Sequence, residues 1–205
     1  AAYYHTYIVH YKGIKVGKLH SANKMRKPEV EFDFDKAVLY SVNRKWWYEI
    51  LTSFMSELGL EYNNIKYAEI ALDTSKNLVE AFRGLYDKTV DNKSCHHKDY
   101  RLQRNSKVDI LDNGTTFNIR GKCNMISIYE KSSYAEDYIK EFFKLNGFGD
   151  SPVYRVEARL NWNYLKSKMS YKQVRINLET LLDTKMLTTL FKMSVENKLA
   201  FSDLR

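Results

Sequence analysis

The stretch Asn124–Tyr134, NMISIYEKSSY, decides how the chain is read. Ile126 and Ile128 alternate with Ser127, Tyr129 and Lys131, and alternation with period two marks a β-strand with one apolar and one polar face. The same rule holds at 67–73, YAEIALD, where Ala68, Ile70 and Leu72 oppose Tyr67, Glu69, Ala71 and Asp73. It holds again at 154–160, where Val156, Ala158 and Leu160 oppose Arg155, Glu157 and Arg159. In EVEFDF, 29–34, Glu31 and Asp33 oppose Val30, Phe32 and Phe34. Four strands thus put acids, bases and one tyrosine on the side away from their apolar face.

Helical spacing surrounds these strands. Trp47, Ile50, Leu51, Phe54, Met55 and Leu58 recur along one helix face over 43–58, and Gly59 follows where a C-cap favours positive φ. That spacing assigns at least Trp47 to the core, whereas Trp162, at a strand end, is the better candidate for stacking on a base. Ser75 is placed to cap a helix carrying Leu78, Val79, Phe82 and Leu85, and a further helix is expected over 134–145. Ser170 with Gln173 has capping-box spacing in a helical tail, and Asp183 is a second cap. A hairpin is read across Gly13, strands at 115–120 and 124–131, and a loop or loose hairpin over the basic stretch 88–114. The expected fold is α+β: a mostly antiparallel central sheet with helices packed on one face and the other face open for catalysis.

The chain has 205 residues, 44% of them hydrophobic, with two prolines and eight glycines, which fits one globular domain over 1–205 and excludes a disordered chain. The absence of an initiator methionine and the ending AFSDLR are read as marks of a domain excised from a longer protein. No apolar run approaches the roughly 20 residues of a membrane span. No signal peptide is recognisable, and two cysteines make no disulfide framework, so a cytoplasmic location with no membrane partner is expected. A net charge of +8 biases the partner toward an anion.

Polar alternation alone means no more than a solvated sheet face. The acid bias of this face, inside a basic protein, is a second signal: Glu69, Asp73 and Glu157 repel one another unless a cation sits among them. Oxygen ligands of this kind suit Mg²⁺ or Mn²⁺. A tyrosine beside such an ion can attack a phosphodiester and form a covalent intermediate, with Lys131 neutralising phosphate charge or favouring the phenolate. Adjacent His96 and His97 would point to opposite faces of a strand, which argues against their acting together as metal ligands.

Four blocks in this order, EVEFDFDKAVL, IKYAEIALDTS, TFNIRGKCNMISIYEKSS and YRVEARL, spanning about residues 28–165, resemble the trans-acting replication initiators of rolling-circle plasmids and phages. They also resemble the related relaxases of integrative conjugative elements. The resemblance implies that Tyr129 is the nicking tyrosine, that Asp73 and Glu157 are metal ligands, and that Glu69 is a third acid. It departs from the family pattern at Arg159, which stands where a second acid belongs and is read instead as a ligand of the scissile phosphate. A bacterial or phage-infected cell is implied, with DNA as substrate and with a helicase, host replication proteins or a second copy of the chain as partners.

The expected function is metal-dependent nicking and joining of single-stranded or extruded DNA through a 5′-phosphotyrosine, starting rolling-circle replication. A conjugative relaxase with the same chemistry and a non-catalytic module binding single-stranded DNA or RNA are the alternatives. Lys98, Arg101, Arg104, Arg120 and Lys122 are candidates for backbone contacts to DNA, against a plain reading as solvated loop charge.

Overall fold

Alternation and helix capping account for most elements of the computed structural model, which describes residues 5–22, 29–41, 43–91, 100–102, 107–111, 114–121, 124–172, 176–196 and 199–201. The chain divides into two compact units, one of Ala1–Glu61 with Asp137–Phe142 and one of Tyr62–Glu136 with Phe143–Arg205. None of its described helices is long and apolar enough to cross a membrane.

In the first unit, β1 (His5–Tyr11), β2 (Ile14–Ala22) and β3 (Glu29–Phe34) form an antiparallel sheet in that order. Lys12 and Gly13, with φ of 50° and 80°, make the two-residue turn whose twist matches a hairpin. A side chain at Gly17 would lie 2.2 Å from the carbonyl oxygen of Asp33, so only glycine lets β2 and β3 approach there. The helices α1 (Lys36–Ser41) and α2 (Arg44–Glu57) follow. Asn43 caps α2 by accepting from the Trp46 amide at 3.0 Å, and Gly59 takes φ of 63° beyond its end. Val16, Val38 and Ile50 are the buried centre, with Phe32, Phe34, Trp46 and Trp47 against them. EVEFDF is a strand, as expected, but it belongs to this sheet, paired with the strand just before it in sequence.

The second unit contains β4 (Tyr67–Thr74), α3 (Leu78–Asp91), β5 (Tyr100–Leu102), β6 (Lys107–Leu111), β7 (Thr116–Arg120) and β8 (Asn124–Glu130). After α4 (Asp137–Leu145), which straddles the two ranges, come β9 (Tyr154–Asn161), α5 (Trp162–Lys172), α6 (Thr184–Glu196) and β10 (Leu199–Phe201). The main sheet runs β4-β9-β8-β7-β6, antiparallel throughout, while β5 pairs with β10 separately. Phe117, Ile119, Ile126, Ile128, Ala158 and Leu160 present one apolar face, and Val79 and Phe82 of α3, Tyr164 and Leu165 of α5 and Leu190 of α6 pack with it. The fold is α+β, with these helices on one side of the sheet.

Local details differ from expectation where a better cap or a longer-range pairing wins. Asn77, not Ser75, caps α3: its side chain accepts from the Glu80 amide at 3.0 Å and donates to the Glu80 carboxylate at 3.3 Å. Ser170 falls inside α5, and the capping box is made by Asn177 and Thr180. Asp183 caps α6 as expected, accepting from the Met186 amide at 3.0 Å. The basic stretch contains the end of α3 and the whole of β6, because Val108 and Ile110 alternate with charged neighbours and pair with β7. Trp162 opens α5 and packs against the apolar cluster, which removes it from the polar face.

Phe117 is 1% exposed, and its ring centroid lies 4.9 Å from that of Phe82. Phe117→Ala should cost about 3–5 kcal/mol, because the cavity adds to the lost transfer energy. Urea denaturation of the purified variant measures this, and a loss below about 1 kcal/mol would show that this ring does not anchor the core.

Candidate active site

Directly opposed residues in neighbouring strands share a face, so the pairing register assembles the polar side of the main sheet into three rows. One row runs Asp73, Arg155, Tyr129, Thr116. The next runs Ala71, Glu157, Ser127, Asn118, Asp109, and the third Glu69, Arg159, Met125, Arg120. Tyr129, Asp73, Glu157, Glu69 and Arg159 are therefore on one face, drawn from β4, β8 and β9, as strand parity predicts.

The contacts within the rows are specific. The Tyr129 hydroxyl donates to Oε2 of Glu157 at 3.1 Å. Arg155 grips Asp73 with two parallel bonds, Nε to Oδ1 at 2.7 Å and Nη2 to Oδ2 at 2.8 Å. Arg159 bonds Glu69 and also places Nη2 3.8 Å from Oε1 of Glu157. Lys131, one residue past the end of β8, holds its Nζ 6.0 Å from the centroid of the Tyr129 ring, within range of a cation–π contact. Arg120 pairs with Asp109, so this DNA-contact candidate is engaged on the sheet itself.

Shielding varies across the face. Arg155, Ser127 and Asn118 are only 5%, 7% and 8% exposed, while the Arg159 side chain is 50% exposed. The face is open toward the row of Glu69, Arg159 and Arg120 and closed around Arg155. Ser127 donates to Oδ1 of Asn118 at 2.7 Å, which gives the Ser127 hydroxyl and the Asn118 carbonyl oxygen a partner in the shielded part.

The three acids expected to hold a divalent ion are each engaged by another side chain. Both oxygens of Asp73 accept from Arg155, Glu69 accepts from Arg159, and Glu157 accepts from Tyr129. Among the described residues no group of three or more His, Cys, Asp or Glu side chains is placed to hold a metal. Guanidinium groups thus stand against the carboxylates of Asp73 and Glu69, and one lies 3.8 Å from that of Glu157.

Of the other candidates, Arg101 lies on β5, paired with Ala200, in the small two-stranded sheet. Lys98, Arg104 and Lys122, with His96, His97 and Cys95, lie outside the described residues. Residues that were not singled out also occupy the face. Arg155 and Ser127 share parity with Tyr129 and Glu157 and were legible on that basis; Asn118 and Asp109 become visible only once β6 and β7 are paired.

The buried pair makes a direct prediction. Asp73→Asn removes the charge opposite a guanidinium whose side chain is 6% exposed, and stranding a buried charge costs about 3–5 kcal/mol. The variant should melt well below the wild type and expose the sheet to proteolysis; an unchanged melting temperature would mean that the pair carries no stability.

Comparison with protein-family models, with curated proteins and with solved structures finds no match to this chain, so its residues carry the functional argument.

Proposed function

We propose that the polar face of the main sheet is a phosphodiester-transfer site in which Tyr129 cuts and rejoins single-stranded DNA. The observation that carries the reading is the phenol of Tyr129 donating to the Glu157 carboxylate, on a face that also carries Arg155, Arg159 and, over the Tyr129 ring, Lys131. A nucleophile, a proton acceptor and positive charge for a phosphate are the components that such a transfer requires. The resemblance of four sequence blocks to rolling-circle initiators supports the substrate and the polarity of the cut, with the conjugative relaxases as the second assignment of the same chemistry.

In the proposed step the phenolic oxygen forms a bond to phosphorus and the P–O3′ bond breaks. The phenol proton passes to Glu157, and the departing 3′ oxygen takes a proton from the Lys131 ammonium. Solvent later returns the proton from Glu157 to Lys131, so the cycle closes. The protein is left joined to the 5′ phosphate, and the free 3′ hydroxyl can prime synthesis. A free phenol and a free carboxyl differ by about six pKa units, so complete proton transfer alone would cost about 8 kcal/mol. One cation about 5 Å from the forming phenolate returns roughly 3 kcal/mol at an effective dielectric of about 20, so two or three are needed. Lys131 over the ring and Arg155 on the paired strand are the candidates for that charge, and the phosphate-bound cation Arg159, beside Glu157, acts on the acceptor side.

The test is incubation of the protein with single-stranded DNA carrying candidate origin sequence, in Mg²⁺ and Mn²⁺, followed by denaturing electrophoresis. A DNA–protein adduct should form, and Tyr129→Phe should abolish it. Glu157→Gln should slow it by about 10²–10⁴-fold, the usual contribution of a positioned base. An adduct that survives Tyr129→Phe assigns the nucleophile elsewhere. Wild-type protein that binds the DNA but forms no adduct is the single-strand binding module instead.

A further inference from the structure

Along β9 the polar face reads Arg155, Glu157, Arg159, a carboxylate flanked by a guanidinium on each side. This order raises the question of which cation meets the phosphate. Resting on the proposed phosphodiester transfer, we infer that guanidinium groups, and not a divalent metal ion, supply the positive charge of this site, with Arg159 moving from Glu69 to the phosphate.

The two arginines are suited to different tasks. Arg155 is 5% exposed and bound through two nitrogens to Asp73, so taking Asp73 away as a metal ligand would leave a buried guanidinium without its counter-charge. It is a fixed positioning residue, directly opposite Tyr129 and unable to yield its partner. Arg159 is different. Its side chain is half exposed and that of Glu69 is 37% exposed, so water can solvate Glu69 when the guanidinium leaves it. A planar guanidinium binds a phosphate through two parallel bonds as readily as a carboxylate, and Nη2 of Arg159 already lies 3.8 Å from the carboxylate that holds the Tyr129 hydroxyl.

A metal centre and a guanidinium centre predict opposite effects at Glu69. If Glu69 were a metal ligand, Glu69→Gln would weaken the site. If Glu69 competes with the phosphate for Arg159, the same change releases the guanidinium and speeds adduct formation. The bonds made and broken are those already given for Tyr129 attack, with no co-reactant added.

The experiment compares adduct formation on the same single-stranded DNA in EDTA and in Mn²⁺, for wild type, Glu69→Gln, Arg159→Ala and Arg159→Lys. The wild-type rate in EDTA should lie within about threefold of that in Mn²⁺. Glu69→Gln should be several-fold faster, and Arg159→Ala about 10²–10³-fold slower, as for loss of one charge-stabilising donor. Arg159→Lys should recover only part of that loss, because lysine keeps the charge without the planar fork. Mn²⁺ titration followed by electron paramagnetic resonance should show no stoichiometric ion that Glu157→Gln removes. An adduct formed in Mn²⁺ and absent in EDTA overturns the inference while leaving Tyr129 attack intact, as does a slower Glu69→Gln. No adduct under either condition overturns both.

Discussion

Arg155 sits directly between Asp73 and Tyr129 in the pairing of three strands, and the rest of the polar face depends on that placement. A guanidinium 5% exposed is tolerable only with a counter-charge and hydrogen-bond partners, and the two-nitrogen grip on Asp73 supplies the charge and two of those bonds across the β4–β9 pair. A one-residue slip of β4 against β9 would bring Leu72 opposite Arg155 and turn Asp73 to the helix-covered face. Apolar packing on one side and this ion pair on the other therefore specify the same register. Tyr129 inherits its position from that register, because β8 pairs with the opposite edge of β9.

Charge on this face is balanced locally. Four carboxylates, those of Glu69, Asp73, Asp109 and Glu157, stand with Arg120, Arg155 and Arg159, which pair with them, and with Lys131 over the Tyr129 ring. These eight groups together contribute nothing to the net charge of +8. For the proposed reaction this separates two tasks. Long-range attraction of a polyanion falls to the overall charge, while a phosphate is held at the site only when a side chain exchanges one partner for another. Such an exchange disfavours a casual anion and rewards one delivered in register beside Tyr129.

What could be read from the sequence follows from which interactions are local. The faces of β4, β8 and β9 were legible because side-chain direction in a strand depends only on parity, and the α6 cap at Asp183 because it acts within three residues. The order of strands was not legible, since pairing β4 with β9 joins segments some 80 residues apart. Parity put Glu69, Asp73 and Glu157 on one face, but only the register shows Arg159 opposite Glu69 and Arg155 opposite Asp73. EVEFDF carries the same alternation as the site strands and belongs to another sheet, because parity identifies a face and not the sheet to which that face belongs. The strand at Lys107–Leu111 was hidden by its charge, although an edge strand commonly carries charged residues that discourage further pairing.

Exposure gives the site a direction. Along β9 it rises from the buried Arg155 to the half-exposed Arg159, and the third row, with Glu69 and Arg120, is the open end. In the proposed reaction, a polyanion approaching this face would meet an exposed guanidinium before it reached the phenol. The group best able to change partners is then also the first encountered, and the one that cannot change partners lies beside the nucleophile. An arrangement with the two arginines interchanged would bury the adaptable contact and expose the fixed one, so phosphate entry would compete with the ion pair that holds the strands in register.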